Sequence, residues 1–362
     1  MGVIIIAFLL MALVISLVYA VYGQKRVKVS FDCDAYVKKG SSLEVKVKVE
    51  KEGIFPLPFI EITTEASQTF GENKKTFRLS LCKEPVTEFT FTQPAVIGGC
   101  GEIKVTSVRS CGFLGFVKLK AKTALPEAKI VGVIPEIPQI SASSQLFRNI
   151  ADAVLTSDNE DENDTAMLFS ANTFPGYEHR EYVPGDSMKR VNWKLSSKTN
   201  KLMVRLDEAS SAVQPCIALD LFRSGAEDKK TLEREERLLQ SVFGLITLLV
   251  KQGIACTFLY HRYDDSVVIE NVDNPDYPSQ LLLKVLSVKP VAKKRLDVGK
   301  CPENLCACVV ATTDTGEDFV SITEKLPDKE NSSVIIPEYT EKTNVKLPVW
   351  YLTEDNNFKL VE

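Results

Sequence analysis

The sequence predicts an N-terminal transmembrane helix, an antiparallel β-sandwich and then a doubly wound α/β domain. Three observations carry this expectation. The chain opens on "VIIIAFLLMALVISLVYAVYG", and no charged side chain lies between Met1 and Gln24. From Lys28 to about Lys122 apolar residues recur at every second position, the period of a strand with one buried face. Beyond Val213, short apolar runs alternate with helix-length stretches, which implies βαβ crossovers and a mostly parallel sheet covered on both faces.

The first element, residues 1–24, suits a bilayer, because about twenty apolar residues rising 1.5 Å each cross a hydrocarbon core. Residues 3–22 are the lipid-contacting part. A cleaved signal peptide is the competing reading, since Val18-Tyr19-Ala20 resembles a small-residue cleavage site. The missing positive n-region and the length of the apolar run favour an anchor. Basic residues resist translocation; none precede the segment, whereas Lys25, Arg26 and Lys28 follow it. The expected location is the cell membrane, single-pass, with the body in the cytoplasm.

A chain of 362 residues, 44% hydrophobic and 25% charged, is long enough for two cores. Its net charge of -4 gives no global attraction to phosphate, which argues against nucleic acid as a partner. Nine cysteines, an odd number without disulfide-module spacing, read as buried reduced thiols.

The β-sandwich is expected over 25–138. In "LEVKVKVE", Leu43, Val45, Val47 and Val49 alternate with Glu44, Lys46, Lys48 and Glu50, and the same rhythm returns in "EFTFTQ", "EIKVTSV" and "FVKLKAK" between turn clusters. Residues 139–174 read as a linker. They include "SDNEDENDTA", whose Asp158, Glu160, Asp161, Glu162 and Asp164 repel one another, without the glycine and closing glutamate of a calcium loop. A signature segment spans 175–212. In the α/β domain, 213–362, strands are expected at "PCIALDLF", "IACTFLYH", "CACVVATTD", "SSVIIPE" and "LPVWYLTE". Helices are expected at "TLEREERLLQSVFGLITLLVKQG", "SQLLLKVLSV" and "GEDFVSITEKL".

Chemistry is sparse. His179 and His261 are the two histidines; His261 reads as a partly exposed residue at a strand end, and no nucleophile elbow accompanies either one. No phosphate-binding glycine loop follows a predicted strand, so neither an enzyme nor a bound cofactor is expected. Cys301, Cys306 and Cys308 lack a complementary ligand pair and read as packing. Asp220, Ser224 and Asp314 sit where open α/β sheets bind ligands and are weak metal candidates. This part of the chain looks like a von Willebrand factor A domain, whose metal loop reads D-x-S-x-S. Phe222 replaces the middle serine here, which breaks the chelate, so no metal is expected.

The densest stretch is "REYVPGDSMKRVNWKLSSKTNKLMVR", Arg180 to Arg205. It reads as strand, "VPGD" turn, short helix from about Ser187, and strand, with Lys189, Arg190, Lys194 and Lys198 gathered towards water. Trp193 and Tyr182 as core aromatics, with Arg180 and Arg205 pinning a joint between domains, form the structural alternative.

This stretch resembles the signature of the domain of unknown function 58 family, R-x-Y-x-x-G-D-x-x-R-x-I-x-W-x-x-S-A-[RK]-x-x-x-L-x-V-[RK]. Arg180, Tyr182, Gly185, Asp186, Arg190, Trp193, Ser196, Lys198, Leu202 and Arg205 occupy its positions; Val191 stands for isoleucine and Ser197 for alanine. "CGFLGF", Cys111 to Phe116, resembles the family's D-P-[FL]-G-L-F turn without its aspartate and proline. The resemblance implies a membrane segment, a β-sandwich, the signature and a degenerate von Willebrand factor A-like domain. It also implies company: a MoxR-type AAA ATPase and a transglutaminase-like membrane protein, and hence a non-enzymatic adaptor in assembly at the membrane. Arg190, Lys194 and Lys198, or the sheet edge near Asp220, are the expected docking surfaces. A metal-dependent adhesion or enzymatic domain is the alternative.

Overall fold

The computed structural model describes residues 2–53, 56–71, 73–82, 84–159, 173–182, 193–199, 201–209, 213–223, 227–302, 305–326, 329–341 and 343–361. The apolar N-terminus is one helix, α1 (Gly2–Gly23), of 22 residues. It is long and apolar enough to cross a bilayer, a length and composition that a signal sequence shares. Ser16, Ala20 and Gly23 are its buried residues; their i, i+4, i+7 spacing puts small side chains on one stripe. A Cβ on Gly23 would collide with the Ser110 hydroxyl, so the helix backbone itself abuts the following sheets.

Next come β1 (Val27–Cys33), β2 (Tyr36–Lys38), β3 (Ser42–Lys51), β4 (Leu57–Ala66), β5 (Lys74–Leu81), β6 (Val86–Pro94), β7 (Gly99–Cys111), β8 (Lys118–Lys120) and β9 (Lys129–Ile134). They form a three-stranded sheet, β1-β3-β6, and a larger one ordered β2-β9-β7-β4-β5, with β8 paired to β7. All pairs are antiparallel except β2 with β9. The two sheets share one apolar cluster, to which β3 contributes Leu43, Val45, Val47 and Val49 and β4 contributes Ile60 and Ile62. The alternation seen in the sequence is thus an alternation of burial. Phe77 of β5 meets Phe89 and Phe91 of β6 with ring centroids 5.0 and 4.7 Å apart, which joins the facing sheet edges.

The segment expected as a linker is structured in its first half. Residues Gln145–Asn159 form α2, and Leu146, Phe147, Ile150 and Ala153 enter the core of the C-terminal body. Their helical spacing decides the outcome; the acidic run beyond 159 lies outside the described residues. Strands β10 (Thr173–Glu181) and β11 (Met203–Ala209) then pair antiparallel as a separate ribbon, with α3 (Trp193–Thr199) before β11.

The C-terminal body contains β12 (Gln214–Asp220), α4 (Lys229–Lys251), β13 (Cys256–His261), β14 (Val267–Val272), α5 (Tyr277–Ser287), β15 (Leu305–Thr312), α6 (Glu317–Thr323), β16 (Ser332–Ile336), β17 (Val349–Leu352) and β18 (Phe358–Leu360). One sheet runs β14-β13-β12-β15-β16-β17-β18. Its five inner strands are parallel, and β14 and β18 are antiparallel edges that the sequence reading did not anticipate. Side chains of α2, α4 and α5 cover one face and Phe319 of α6 covers the other, which explains why β12 and β15 are buried almost throughout.

The charged first half of α4 ties the two bodies together. Lys39, just after β2, donates to both Glu236 carboxylate oxygens at 2.7 and 2.9 Å. The Tyr36 hydroxyl donates to the Leu283 carbonyl at 3.2 Å, Lys289 reaches Glu102 at 3.2 Å, and Gln240 donates to the Glu136 carbonyl at 3.0 Å. Glu236 is only 4% exposed and depends on its counter-ion. Replacing Lys39 by methionine is therefore expected to cost about 1–3 kcal/mol, and Glu236→Gln less, because glutamine leaves no buried charge behind. Thermal melts of the detergent-solubilised chain check that order.

Candidate functional site

Strand β12 ends on Asp220, a carboxylate 1% exposed at the edge where open parallel sheets take their ligands. Beyond it the chain runs alongside the segment after α5: the Leu221 carbonyl accepts from the Ala292 amide, and the Arg223 amide donates to the Ala292 carbonyl, both at 3.1 Å. This short bridge, Phe222 with Ala292, carries Arg295 across the end of the sheet.

Arg295 Nη1 donates to Asp220 Oδ2 at 3.0 Å, to Thr312 Oγ1 at 3.2 Å and to the Asp314 carbonyl at 3.0 Å, while Nη2 donates to Asp314 Oδ2 at 2.9 Å. The Leu296 amide donates to Asp220 Oδ1 at 2.9 Å, and Thr312 Oγ1 lies 3.1 Å from Asp220 Oδ2. Phe222 lies beneath the guanidinium, its ring centroid 4.1 Å from Cζ, and Phe319 lies 5.7 Å away. Phe222, two residues after Asp220, is therefore the aromatic platform of the arginine. Among these oxygens the positive charge is supplied by the chain's own guanidinium.

His261 ends β13 beside this cluster. It is 1% exposed, which corrects the expectation of a partly exposed strand-end histidine, and its Nε2 stands 3.7 Å from Asp220 Oδ1. The strand carries it inward because β13 is flanked by β12 and β14, and that second neighbour was not anticipated. Burial acts to raise the Asp220 carboxyl. The His261 imidazole, the Leu296 amide and Arg295 outweigh it and hold the group below its ordinary value.

A second buried pair flanks the first. Arg223 donates to both oxygens of Glu235 on α4, at 2.9 and 2.6 Å, and to Glu227 at 2.9 Å. The two-pronged geometry suits a guanidinium facing a carboxylate. Burial lifts the Glu235 carboxyl, and Arg223 opposes that rise.

Of the sequence-derived candidates, Asp220 and Asp314 are brought together through Arg295, while Ser224 lies outside the described residues. Within the signature, Arg180 stands in β10 opposite Val204 and Arg205 stands in β11 opposite His179. The Tyr182 amide donates to the Leu202 carbonyl at 2.8 Å. Trp193 opens α3, Lys194 and Lys198 are exposed on it, and Ser196 is buried with its hydroxyl accepting from the Met203 amide at 2.8 Å. Gly185, Asp186 and Arg190 lie outside the described residues, as does the start of the helix expected from Ser187.

The cysteines regroup. Cys306 packs with the α4 face of the sheet, whereas Cys301 and Cys308 meet Cys216 on the opposite face, their sulfurs lying within 4.8 Å of one another. Strict alternation would put Cys306 and Cys308 on one face; β15 carries one extra residue where Gln214 pairs with Leu305 and Cys216 with Cys308, so Cys306 and Ala307 both turn to the α4 face and Cys308 to the other. Three sulfurs at that spacing match the ligand set of one soft ion in distance. Their neighbours are apolar, including Ala218, Leu259 and Val310, and hydrogen bonding to Cys301 and Cys308 together with burial pushes the Cys216 thiol up.

The family model described as protein of unknown function DUF58 matches residues 178–306. That span begins inside β10, contains the signature stretch, Asp220, Arg223 and Arg295, and ends at the start of β15. No curated protein matches. Among solved structures, a CARDB domain from Pyrococcus furiosus aligns at 18% identity over 32% of this chain and 98% of that one, TM-score 0.25. A cohesin module from a Clostridium perfringens family 33 glycoside hydrolase aligns at 12% identity over 31% of this chain and 99% of that one, TM-score 0.24. The C-terminal domain of wzt aligns at 11% identity over 32% of this chain and 78% of that one, TM-score 0.25.

Arg295 was the residue missed by sequence reasoning. It sits in "VAKKRLDVGK", an irregular basic stretch with no period, and only the Phe222–Ala292 bridge reveals its partner. Its removal leaves Asp220 buried without a counter-charge, so Arg295→Met is expected to lower stability by about 3–5 kcal/mol. Arg295→Lys should fall between, keeping charge but losing the fork and the stacking. Because the folded Asp220 value is depressed below 3.8, its contribution is complete above that pH and is lost as acidity passes through the folded value. Urea titrations between pH 2 and 7, with Asp220→Asn as the reference that lacks this one titration while keeping those of Glu61 and the other paired carboxylates, measure both effects.

Proposed function

We propose that this chain is a single-pass membrane protein anchored by α1, with a β-sandwich and a degenerate von Willebrand factor A-like domain on the cytoplasmic side. It acts without catalysis as an adaptor for a MoxR-type AAA ATPase and a transglutaminase-like membrane protein in assembly at the membrane. One observation carries the reading: at the sheet edge, Asp220 and Asp314 bind the chain's own Arg295. A divalent ion or a substrate cation would have to displace a guanidinium with four hydrogen bonds and an aromatic platform.

Surfaces remain as the means of action. Lys194 and Lys198 project from α3, whose position against β11 is held by the buried Ser196 hydroxyl. Attachment to the same membrane as a partner raises local concentration, so weak charged contacts suffice. The metal-dependent alternative draws on Asp220, Ser224 and Asp314, and it requires Arg295 to swing out.

Replacing Arg190 and Lys194 together by alanine is expected to reduce recovery of the partner ATPase from detergent extracts about tenfold, a change of ~1.4 kcal/mol, at unaltered melting midpoint. Unchanged recovery would remove this surface. In parallel, millimolar Mg²⁺ or Mn²⁺ should leave the midpoint where it was. A rise would establish a folded-state metal site and sink the adaptor-only reading, because a ligand of the native form must stabilise it.

A further inference from the structure

The β7–β8 hairpin carries an apolar tip. Between Cys111 and Lys118 the sequence reads "GFLGFV", and Phe113 is 63%, Leu114 39% and Phe116 86% exposed. The turn is well defined: the Gly112 amide donates to the Val117 carbonyl at 2.8 Å and the Gly115 amide to the Gly112 carbonyl at 2.9 Å, with Gly115 at φ +76°. Three large side chains are thus held outward together on a fixed loop, where water gains nothing from them.

The position of this tip identifies what covers it. The Ser16 hydroxyl, inside α1, accepts from the Leu114 amide at 3.3 Å, and a Cβ on Gly112 would collide with the Ser16 backbone carbonyl and hydroxyl. Ser16 lies seven residues before the end of α1 at Gly23, about 10 Å along the axis. The hairpin base is level with that end, since the Lys122 amide donates to the Gln24 carbonyl at 2.7 Å. Lys25, Arg26, Lys120 and Lys122, all exposed, belong to the end of α1 and the hairpin base, while Lys118, nearer the tip, is neutralised by Glu61 at 2.9 Å. A basic collar below and aromatic side chains about 10 Å above it match the layering of an interface, with headgroup phosphates outside and acyl chains within.

We propose that the Gly112–Val117 tip inserts Phe113, Leu114 and Phe116 into the acyl region of the same leaflet that α1 enters, giving the body a second, monotopic contact with the bilayer. The helix and the hairpin together fix the orientation of the two-sheet body on the membrane; a single helix, even packed rigidly on the body, could still tilt and turn about its own axis in the bilayer. This inference rests on α1 as a membrane anchor.

The test uses the full chain reconstituted into phosphatidylcholine–phosphatidylglycerol vesicles, with Phe116→Trp and, separately, Phe113→Trp. Tyr263→Trp, at a 69% exposed position of the C-terminal body, is the aqueous control. The unmodified chain gives the background of Trp193 and Trp350. The added fluorescence at 116 and 113 is expected to fall by about half in lipids brominated in the upper acyl chain, while the 263 signal stays constant and is quenched by aqueous iodide. Iodide quenching at 116 and 113 without bromine quenching, in vesicles that retain the chain through carbonate washing, overturns the insertion and leaves the anchor intact. Release of the chain by carbonate overturns both.

Discussion

Asp220 is buried at the end of a central strand, and a carboxylate in that position must be neutralised where it stands or the sheet edge opens. Much of the C-terminal body follows from that demand. Arg295 can reach the carboxylate only because Leu221 to Arg223 hydrogen-bond with Ala292, and Thr312 can close the other side only in the register that pairs Asp220 with Thr312. A slip of one residue between β12 and β15 would move the hydroxyl to the opposite face and take one donor away from both Asp220 and its ion pair with Arg295. The polar cluster therefore selects one register for two strands whose apolar side chains would tolerate several.

Helix α4 passes the constraint to the rest of the molecule. Glu235 and Glu236 are neighbours in sequence, yet a rotation of about 100° per residue sends them to different partners. Glu235 meets Arg223 beside the sheet edge, and Glu236 meets Lys39 of the two-sheet body. One helical turn thus serves both bodies. At the far side of the two-sheet body, the small residues Ser16, Ala20 and Gly23 let α1 lie against β4 and β7, so the apolar helix continues from the folded domain without a flexible joint of its own.

The bland and the functional readings of the signature stretch meet in Ser196. A hydroxyl buried against the Met203 amide holds α3 to β11 and is structural, while Lys194 and Lys198 on the same short helix face water. The residue types that make the segment recognisable thus divide between holding its shape and presenting charge. Asp314, by contrast, is half of an internal ion pair, although its place at a sheet edge suggested a ligand.

Local periodicity determined a great deal by itself. The uncharged start of the chain specified α1, Leu43 to Val49 specified a strand with one buried face, and the apolar runs at Ile217 and Val309 specified inner strands of a parallel sheet. These are nearest-neighbour properties, written every two residues or every three to four. The helical stripe of Leu146, Phe147, Ile150 and Ala153 was equally legible but was masked by the acidic residues that follow it, and β18 is only three residues long, too short to carry a period. What only the tertiary structure decided is pairwise and distant: Arg295 with Asp220 across 75 positions, Cys216 with Cys301 across 85, and Leu114 with Ser16 across 98. Such contacts depend on how strands are ordered and where loops return, and the energy that selects them comes from burying groups that lie nowhere near one another along the chain.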